Sequence, residues 1–293
     1  DLFRIGDWWY LVYSTFSERH VTHYRMSRYP SGPWRAPRVD SFDGRAFYAA
    51  KTASDGKRTF AFGWNPTRTQ EKDTGSWNWG GHLVIHEIRQ TPDGSLSVTV
   101  PNEIIGQFSK PVPVQTDPQP SGWINGGDSM TALAEGKFTW CRLALMPRIS
   151  CLETSIRFSE DTHNCGVVLR ADDSLNRYYQ IRLEPALDRV VFERWPRPGD
   201  EPPIMERFVP LPADTSISIK VLVQDSVIVV YVGDTIAMNV RGYEHTDGCY
   251  GLFAAEGKVT FTQTTISELV AVQFSEASYR GAQSAFEDVA KGI

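Results

Sequence analysis

The sequence predicts an all-β protein in two parts, because short apolar runs follow one another along most of its length. Turn-forming stretches such as "SGP", "SDGK" and "TPDGS" separate these runs. Strands joined by tight turns are typical of antiparallel sheets, whereas parallel sheets need helices between successive strands. A proline-rich passage divides the chain into its two parts.

The first part, residues 1–108, contains regularly spaced strand signals. The opening "DLFRIGDWWYLVYS" predicts a strand pair. The main predicted strands are Trp8–Ser14, Val21–Ser27, Ala46–Ser54, Arg58–Asn65, Gly80–Gln90 and Leu96–Pro101. This spacing favours propeller blades or a barrel, and the strands are too few to close a propeller. We therefore expect an open sheet edge that further chain or a partner covers.

The second part follows a predicted linker at residues 109–122, "SKPVPVQTDPQPSG". Proline stiffens the backbone and removes a hydrogen-bond donor, which suits a linker. Residues 123–273 read as a meander with turn residues at intervals of about 8–12 positions, a pattern that predicts a β-sandwich. Weak helical spacing in residues 274–293 predicts a short helix or an irregular tail.

Composition narrows the class of ligand. The formal net charge is −5 and no basic cluster occurs, which argues against nucleic acid. No apolar run is long enough to predict a membrane span. Aromatic residues make up 12% of the chain and include nine Trp, more than a core needs, so we expect some exposed rings of the kind that stack on sugars. Core packing remains the alternative for most of them.

The four cysteines are Cys141, Cys151, Cys165 and Cys249. They lack C-x-x-C spacing, so the sequence predicts no zinc site. We expect buried free thiols, with a Cys151–Cys165 disulfide as the alternative in an oxidising compartment. The compartment itself is not predicted.

Several motifs together resemble one family of enzymes. They are "DLFRIGDWWYLVYS", "FYAAKT", "FAFGW" and "WNWGGHLVIHEI", followed by the sandwich pattern that ends in "GLFAAEGKVTFTQTTISEL". In this order they resemble the C-terminal half of glycoside hydrolase family 32, the β-fructosidases. The resemblance implies the last blades of a five-bladed β-propeller followed by a C-terminal β-sandwich. It also implies hydrolysis of terminal fructosyl units in sucrose or fructans, without a metal or other cofactor.

The resemblance implies that the catalytic carboxylates lie outside this sequence. The family's general acid belongs to an "E-C-P-D" pattern, and Asp1 resembles its last residue, so the acid is expected just before Asp1. The nucleophile of the "W-x-N-D-P-N-G" pattern and the Asp of "R-D-P" are expected on a preceding propeller segment, which we also expect as a partner. The carboxylates of Asp7, Glu18, Asp43 and Glu87 are expected to be solvated.

Four residues are candidates for substrate binding. Tyr48 and Trp64 match the family's "D-F-Y-A" Tyr and "W-G-W" Trp, and we expect them on neighbouring strands joined by "SDGK", with a place in the core as the alternative. Ala46 stands where the family motif has Asp, and Asp43 or Lys51 is expected to compensate. The predicted carbohydrate site therefore comprises Asp43, Tyr48, Lys51 and Trp64.

Alternative hypotheses remain at this point. His86, where the family often has Arg, is expected to be a structural histidine. Tyr178, Tyr179 or Trp195 could form a sugar site on the sandwich instead. The protein could also be a non-catalytic carbohydrate-binding or scaffolding protein, or a five-bladed glycosidase that acts on arabinose or xylose.

Overall fold

A computed structural model describes residues 1–17, 20–115, 120–197 and 199–270. Within these ranges the chain is almost entirely strand and turn, with one short α-helix, α1 (Asn102–Ile105). No helix in the described ranges is long and apolar enough to cross a membrane. The predicted all-β class is confirmed. The predicted tail, residues 274–293, lies outside the described residues.

Two antiparallel sheets, here called the blade sheets, make up the first part of the chain. Strands β1 (Leu2–Ile5), β2 (Trp8–Thr15) and β3 (Val21–Ser27) form the first in the order β1-β2-β3. Strands β4 (Lys51–Ser54), β5 (Thr59–Arg68), β6 (Trp77–Gln90) and β7 (Leu96–Thr99) form the second in the order β4-β5-β6-β7. Consecutive strands paired in chain order are typical of propeller blades.

The sandwich consists of two larger antiparallel sheets. Its strands are β8 (Phe108–Val112), β9 (Trp123–Asn125), β10 (Ser129–Leu133), β11 (Phe138–Leu145), β12 (Ile149–Phe158), β13 (Asn164–Ala171), β14 (Tyr178–Glu184), β15 (Arg189–Trp195), β16 (Met205–Phe208), β17 (Ile217–Gln224), β18 (Val227–Val232), β19 (Ile236–Arg241), β20 (Cys249–Ala255) and β21 (Lys258–Leu269). One sheet has the order β19-β18-β17-β12-β21-β10-β9, with β8 also paired to β21, and the other has the order β11-β20-β13-β14-β15-β16.

Several predicted strand ends differ from the structure by a few residues, and two predicted segments differ in kind. The predicted strand Ala46–Ser54 is extended only from Lys51, because Ala46 and Ala49 adopt left-handed backbone angles, with φ values of 74° and 52°. The start of the predicted linker is strand β8, whose Pro111 lies opposite Ser267 of β21. Proline is tolerated there because β8 pairs on one side with β21.

Alternating apolar residues build the core of the sandwich. Ile219, Val221 and Val223 occupy every second position of β17, and all are buried together with Leu152 and Ile156 of β12. Period-two spacing puts such side chains on the same face of a sheet. Full burial of each is worth about 1.5–3 kcal/mol relative to exposure.

A second core joins the blade sheets to the sandwich. Tyr10 and Tyr24 from the first blade sheet belong to the same buried cluster as Leu222, Tyr231 and Ala237 of the sandwich. The two parts of the chain are therefore packed directly against each other, and this contact fixes the position of the blade sheets.

Candidate functional site

Four rings lie together on the blade sheets and form what we call the aromatic cluster: His20, Tyr48, Trp64 and Trp79. The ring centroids of Tyr48 and Trp64 are 6.4 Å apart, and those of Trp64 and Trp79 are 6.3 Å apart. Tyr48 is also 5.8 Å from Trp79, and His20 is 5.5 Å from Tyr48. The structure thus brings together Tyr48 and Trp64, as predicted, and adds two rings to them.

The backbone of β5 and β6 positions the two tryptophans. Trp64 lies on β5, and Trp79 lies near the start of β6. A Cβ on Gly81 would come within 2.0 Å of the backbone oxygen of Asn65, so glycine permits the close approach of the two strands. Gly80 adopts φ = 88°, a backbone angle that favours glycine.

Solvent reaches the aromatic cluster. Trp79 is 73% exposed, whereas Tyr48 and Trp64 are half-buried. Tyr48 does not lie on a strand, contrary to the expectation, but in the segment that precedes β4. An exposed tryptophan beside a half-buried tryptophan and tyrosine presents flat apolar surface with a phenol hydroxyl next to it, which suits the C–H face of a sugar ring.

Lys51 lies at the start of β4, and its side chain is exposed. Its ammonium group is 3.4 Å from a carboxylate oxygen of Asp1. The same carboxylate accepts hydrogen bonds from the backbone N–H of Thr52, at 2.7 Å, and from the Thr52 hydroxyl. The backbone nitrogen of Asp1 donates to the Val12 backbone oxygen at 2.8 Å, so Asp1 links β2 to β4.

Asp43 does not join the aromatic cluster. Its side chain is fully buried, so the expectation that this carboxylate is solvated is wrong, and it has no surface with which to contact a sugar. It accepts hydrogen bonds from the backbone N–H of Asn239 at 2.8 Å and from the Asn239 side chain at 2.6 Å. The oxygen that accepts from the Asn239 side chain also lies 2.8 Å from His86 Nε2. Asp43 therefore joins the blade sheets to the sandwich.

His86 is a structural residue, as expected. It is fully buried, and its Nδ1 lies 2.9 Å from the hydroxyl of Tyr231 on β18. Burial raises the pKa of the Asp43 carboxyl, but the hydrogen bond and charge of His86, the charge of Arg207 and the Asn239 amide outweigh it, so that the pKa is lowered overall. The result is an ionised carboxylate inside the contact between the two parts.

The other carboxylates expected to be solvated divide into three cases. The side chain of Asp7 is 82% exposed, in agreement with the expectation. Glu87 is buried and forms ion pairs with Arg58 and Arg89, so that expectation is wrong. Glu18 lies outside the described residues.

The alternative sugar site on the sandwich has only one accessible ring. Tyr179 is fully buried and Tyr178 is 8% exposed. Trp195 is 47% exposed and stacks on Tyr178 with a centroid distance of 6.4 Å. A single accessible ring offers less stacking surface than the aromatic cluster does.

The sequence did not predict that Trp79 and His20 belong to the aromatic cluster. The available signal was the stretch "WNWGG", in which a tryptophan precedes two glycines at the start of a strand. No sequence signal marks His20. Its ring reaches the cluster because the His20 backbone is left-handed, with φ = 56°, a conformation that the residue type does not predict. Its ring is roughly parallel to that of Trp79, at an interplanar angle of 22°.

The described residues contain no group of three or more His, Cys, Asp or Glu that could hold a metal ion. All four cysteines are buried free thiols, so the alternative of a Cys151–Cys165 disulfide is wrong. Burial raises the pKa of Cys141 and of Cys249 to about 11, and it raises the pKa of the other two further.

Comparison with known proteins identifies solved structures that share this fold. No protein-family model and no curated protein sequence matches the chain. A fructosyltransferase from A. japonicus superposes with a TM-score of 0.63 and 13% identity over 90% of this chain and 53% of that chain. A β-fructofuranosidase from Aspergillus kawachii, complexed with glycerol, superposes with a TM-score of 0.60 and 12% identity over 91% of this chain and 56% of that chain. A GH32 β-fructofuranosidase from Bombyx mori superposes with a TM-score of 0.56 and 14% identity over 92% of this chain and 53% of that chain.

These similarities establish a shared fold. The chain has the all-β architecture of the GH32 β-fructofuranosidases, and it spans little more than half the length of the three structures compared.

Proposed function

We propose that the aromatic cluster is part of a carbohydrate-binding site, and that residues 1–293 are the C-terminal part of a β-fructofuranosidase-like glycoside hydrolase. The observation that carries this proposal is the group of solvent-accessible rings formed by Tyr48, Trp64 and Trp79 on the blade sheets. The shared fold of fructoside-acting enzymes supports the choice of a fructoside as the sugar.

The cluster suits a neutral sugar. Indole rings stack on the C–H faces of a sugar, and the hydroxyl of Tyr48 can donate or accept a hydrogen bond at the edge of that stack. Lys51, which follows closely in the chain, adds a donor at the start of β4. A few polar groups beside apolar surface are the usual composition of a small-ligand site.

The proposed reaction is retaining hydrolysis of a terminal fructosyl unit. It needs two carboxyl groups about 5–5.5 Å apart, one that attacks the anomeric carbon and one that protonates the leaving oxygen. We assign both to a propeller segment outside residues 1–293, with the general acid adjacent to Asp1. The Asp1 carboxylate accepts a hydrogen bond from Thr52 and lies 3.4 Å from the Lys51 ammonium group, so an acid next to Asp1 in the chain would be near Lys51.

A binding experiment tests the site independently of catalysis. Electrophoresis of the chain through native gels that contain inulin or levan measures affinity for fructans, with xylan and arabinan gels as the other glycan classes. We expect retardation by the fructans. Trp79→Ala and Trp64→Ala should each weaken binding by about 0.5–1.5 kcal/mol, roughly 2- to 12-fold.

Trp195→Ala is the matched control, since it removes an exposed tryptophan from the sandwich. It should leave the retardation unchanged. Equal retardation of the wild type and both cluster variants would disprove the proposed site, and loss of binding in the Trp195 variant alone would move the site to the sandwich. Retardation by xylan or arabinan instead of fructans would favour the alternative substrates.

A further inference from the structure

A cleft lies between the first blade sheet and the edge of the sandwich. Its volume is about 560 Å³, within the range of roughly 300–1,000 Å³ that small-molecule sites occupy. One wall consists of part of β3 and of residues 38–41 and 43–45, which follow β3 in the chain. The other wall is β16, the edge strand of its sheet, with residues 202–204. None of the four rings of the aromatic cluster lines this cleft.

Direct contacts hold the two walls of the cleft together. The backbone N–H of Arg45 donates to Met205 Sδ at 3.3 Å, and a Cβ on Gly44 would come within 2.6 Å of the same sulfur atom. The guanidinium of Arg207 on β16 donates to the backbone oxygen and to the hydroxyl of Ser41, both at 2.8 Å. The chain itself therefore forms the cleft, and no ligand is needed to bring its walls together.

Every carboxylate in the walls of the cleft has a partner. The three carboxylates are those of Asp40, Asp43 and Glu206. Their partners are Arg25 and His23 for Asp40, His86 and Asn239 for Asp43, and Arg189 for Glu206. The exposed Glu201 precedes the second wall in the chain and lines a different, smaller cavity with Arg194 and Arg197. Each carboxylate of the cleft walls is therefore already matched by a donor.

Two arginines at the cleft have no such partner. Arg38 and Arg45 are exposed, and neither forms an ion pair with a residue that the structure describes. The guanidinium of Arg38 lies over the ring of Phe208, 4.3 Å from the ring centroid. A guanidinium that stacks on an aromatic ring keeps the N–H groups in its own plane available to a ligand. Arg38 is thus held against β16 without being neutralised.

Arg207 adds a third positive charge at the base of the cleft, but its surroundings offset that charge. Burial lowers the pKa of Arg207 to about 10, and the charges of Asp43 and Asp40 act against this shift. The side chain is buried and donates to protein oxygen atoms. The excess positive charge that a ligand can reach therefore belongs to Arg38 and Arg45.

We propose that this cleft binds a small organic molecule with an oxyanion group, a carboxylate or a phosphate, which Arg38 and Arg45 hold. Guanidinium groups bind both kinds of oxyanion through paired N–H···O hydrogen bonds. The partly buried side chains of Val39 and Ile204 offer apolar surface to the rest of the ligand.

The size of the cleft favours an organic ligand over an inorganic ion. Its volume of about 560 Å³ is far larger than the roughly 30 Å³ that one water molecule occupies in the liquid, so there is room for an organic body beside the oxyanion. This inference does not depend on the proposed function, because the cleft and the aromatic cluster share no residue.

Isothermal titration calorimetry of residues 1–293 with simple probes tests the proposal. Phenyl phosphate and benzoate each combine an oxyanion with an apolar ring, whereas benzyl alcohol lacks the charge and inorganic phosphate lacks the ring. We expect at least one of the two aromatic anions to bind more tightly than inorganic phosphate, and benzyl alcohol not to bind. The tighter of the two anions identifies the preferred group, phosphate or carboxylate. Its affinity should fall as the salt concentration rises, because salt screens exposed charges.

Arg38→Gln and Arg45→Gln should each weaken binding of the tighter anion about tenfold, because each variant loses charge-assisted hydrogen bonds. Arg28→Gln is the matched control. Arg28 is also exposed and lies 3.9 Å from the centroid of the Trp8 ring, but it does not line the cleft. This variant should keep the wild-type affinity. Urea unfolding of each variant checks that the fold is intact.

Four results would overturn the proposal. The first is that neither aromatic anion binds, and the second is that both cleft variants keep the wild-type affinity. The third is an equal loss of affinity in Arg28→Gln, which would mean that the anion responds to overall surface charge and not to the cleft. The fourth is that inorganic phosphate binds as tightly as the better aromatic anion, which would refute the organic ligand. A loss of affinity confined to the two cleft variants supports the proposal.

Discussion

His86 Nε2 lies 2.8 Å from a carboxylate oxygen of Asp43, and neither side chain has any exposed surface. The pair joins the loop that precedes β4 to strand β6, and Asn239 and Tyr231 extend it into the sandwich. Arg207 lies beside it and donates to the backbone oxygens of Phe42 and Ala237. Polar groups thus fill the centre of a contact whose surroundings are apolar.

Removal of the Asp43 carboxylate should destabilise the whole chain. Asp43→Ala leaves the buried His86 and Asn239 without their acceptor, and breaking a buried pair in this way costs about 3–5 kcal/mol. The midpoint of urea unfolding should therefore fall sharply. Asp40→Ala is the matched control, because Asp40 is 27% exposed beside Arg25 and should cost far less. Equal midpoints for the two variants would contradict the assigned role.

Acid should remove part of the stability that Asp43 provides. The lowered pKa of Asp43 means that the folded state binds fewer protons than the unfolded state. Its contribution is complete above the unfolded pKa near 3.9 and is lost as the pH falls through the lower folded value. Asp43→Asn should therefore lose less stability than the wild type between pH 5 and pH 2, as measured by urea unfolding. A steeper loss of stability in Asp43→Asn than in the wild type would contradict the lowered pKa of Asp43.

The cysteines should be unreactive in the native protein. All four are buried, and burial raises the pKa of each thiol, which lowers the fraction of reactive thiolate at pH 8. A thiol-specific chromogenic disulfide reagent should react with none of them in buffer and with all four after denaturation without reductant. Release of only two thiols on denaturation would instead indicate a disulfide.

Residues 1–293 alone should not hydrolyse sucrose, inulin or levan. The proposed mechanism needs two positioned carboxylates that we assign to a separate propeller segment, and the oxocarbenium-like transition state is not stabilised without them. Release of reducing sugar should equal that of a heat-inactivated sample, and addition of that segment should restore activity. Reproducible turnover by the isolated chain would mean that a carboxylate within it is catalytic.

The sequence predicted those parts of the structure that local patterns determine. Strand β3 has the predicted ends, Val21 and Ser27, because the buried Tyr24 and Met26 alternate with polar residues between turn signals. The pairing of Tyr48 with Trp64 was predicted from motif resemblance, although the strand expected for Tyr48 was not found. The left-handed backbone at Ala46 and Ala49 prevents an extended conformation before Lys51, and alanine at those positions does not indicate a left-handed backbone.

The errors concern residues whose environment is set by distant parts of the chain. Asp43 reads as a polar residue at a turn, and only the folded structure brings Asn239 and His86 to it. The burial of Glu87 depends in the same way on Arg58, which immediately precedes β5. Sequence-local reasoning identifies a charged residue but does not contain the partner that makes its burial tolerable.

The contact made by Asp43 also constrains the order in which the protein folds. Asp43 and its partner Asn239 are separated by 196 positions. At a synthesis rate of about 5–20 residues per second, roughly 10–40 s pass between the appearance of the two residues. During that interval the blade sheets lack the surface that covers Tyr10, Tyr24 and Phe42. Contacts of such long range close late and slowly, so nascent chains carry an exposed aromatic surface that chaperones can recognise.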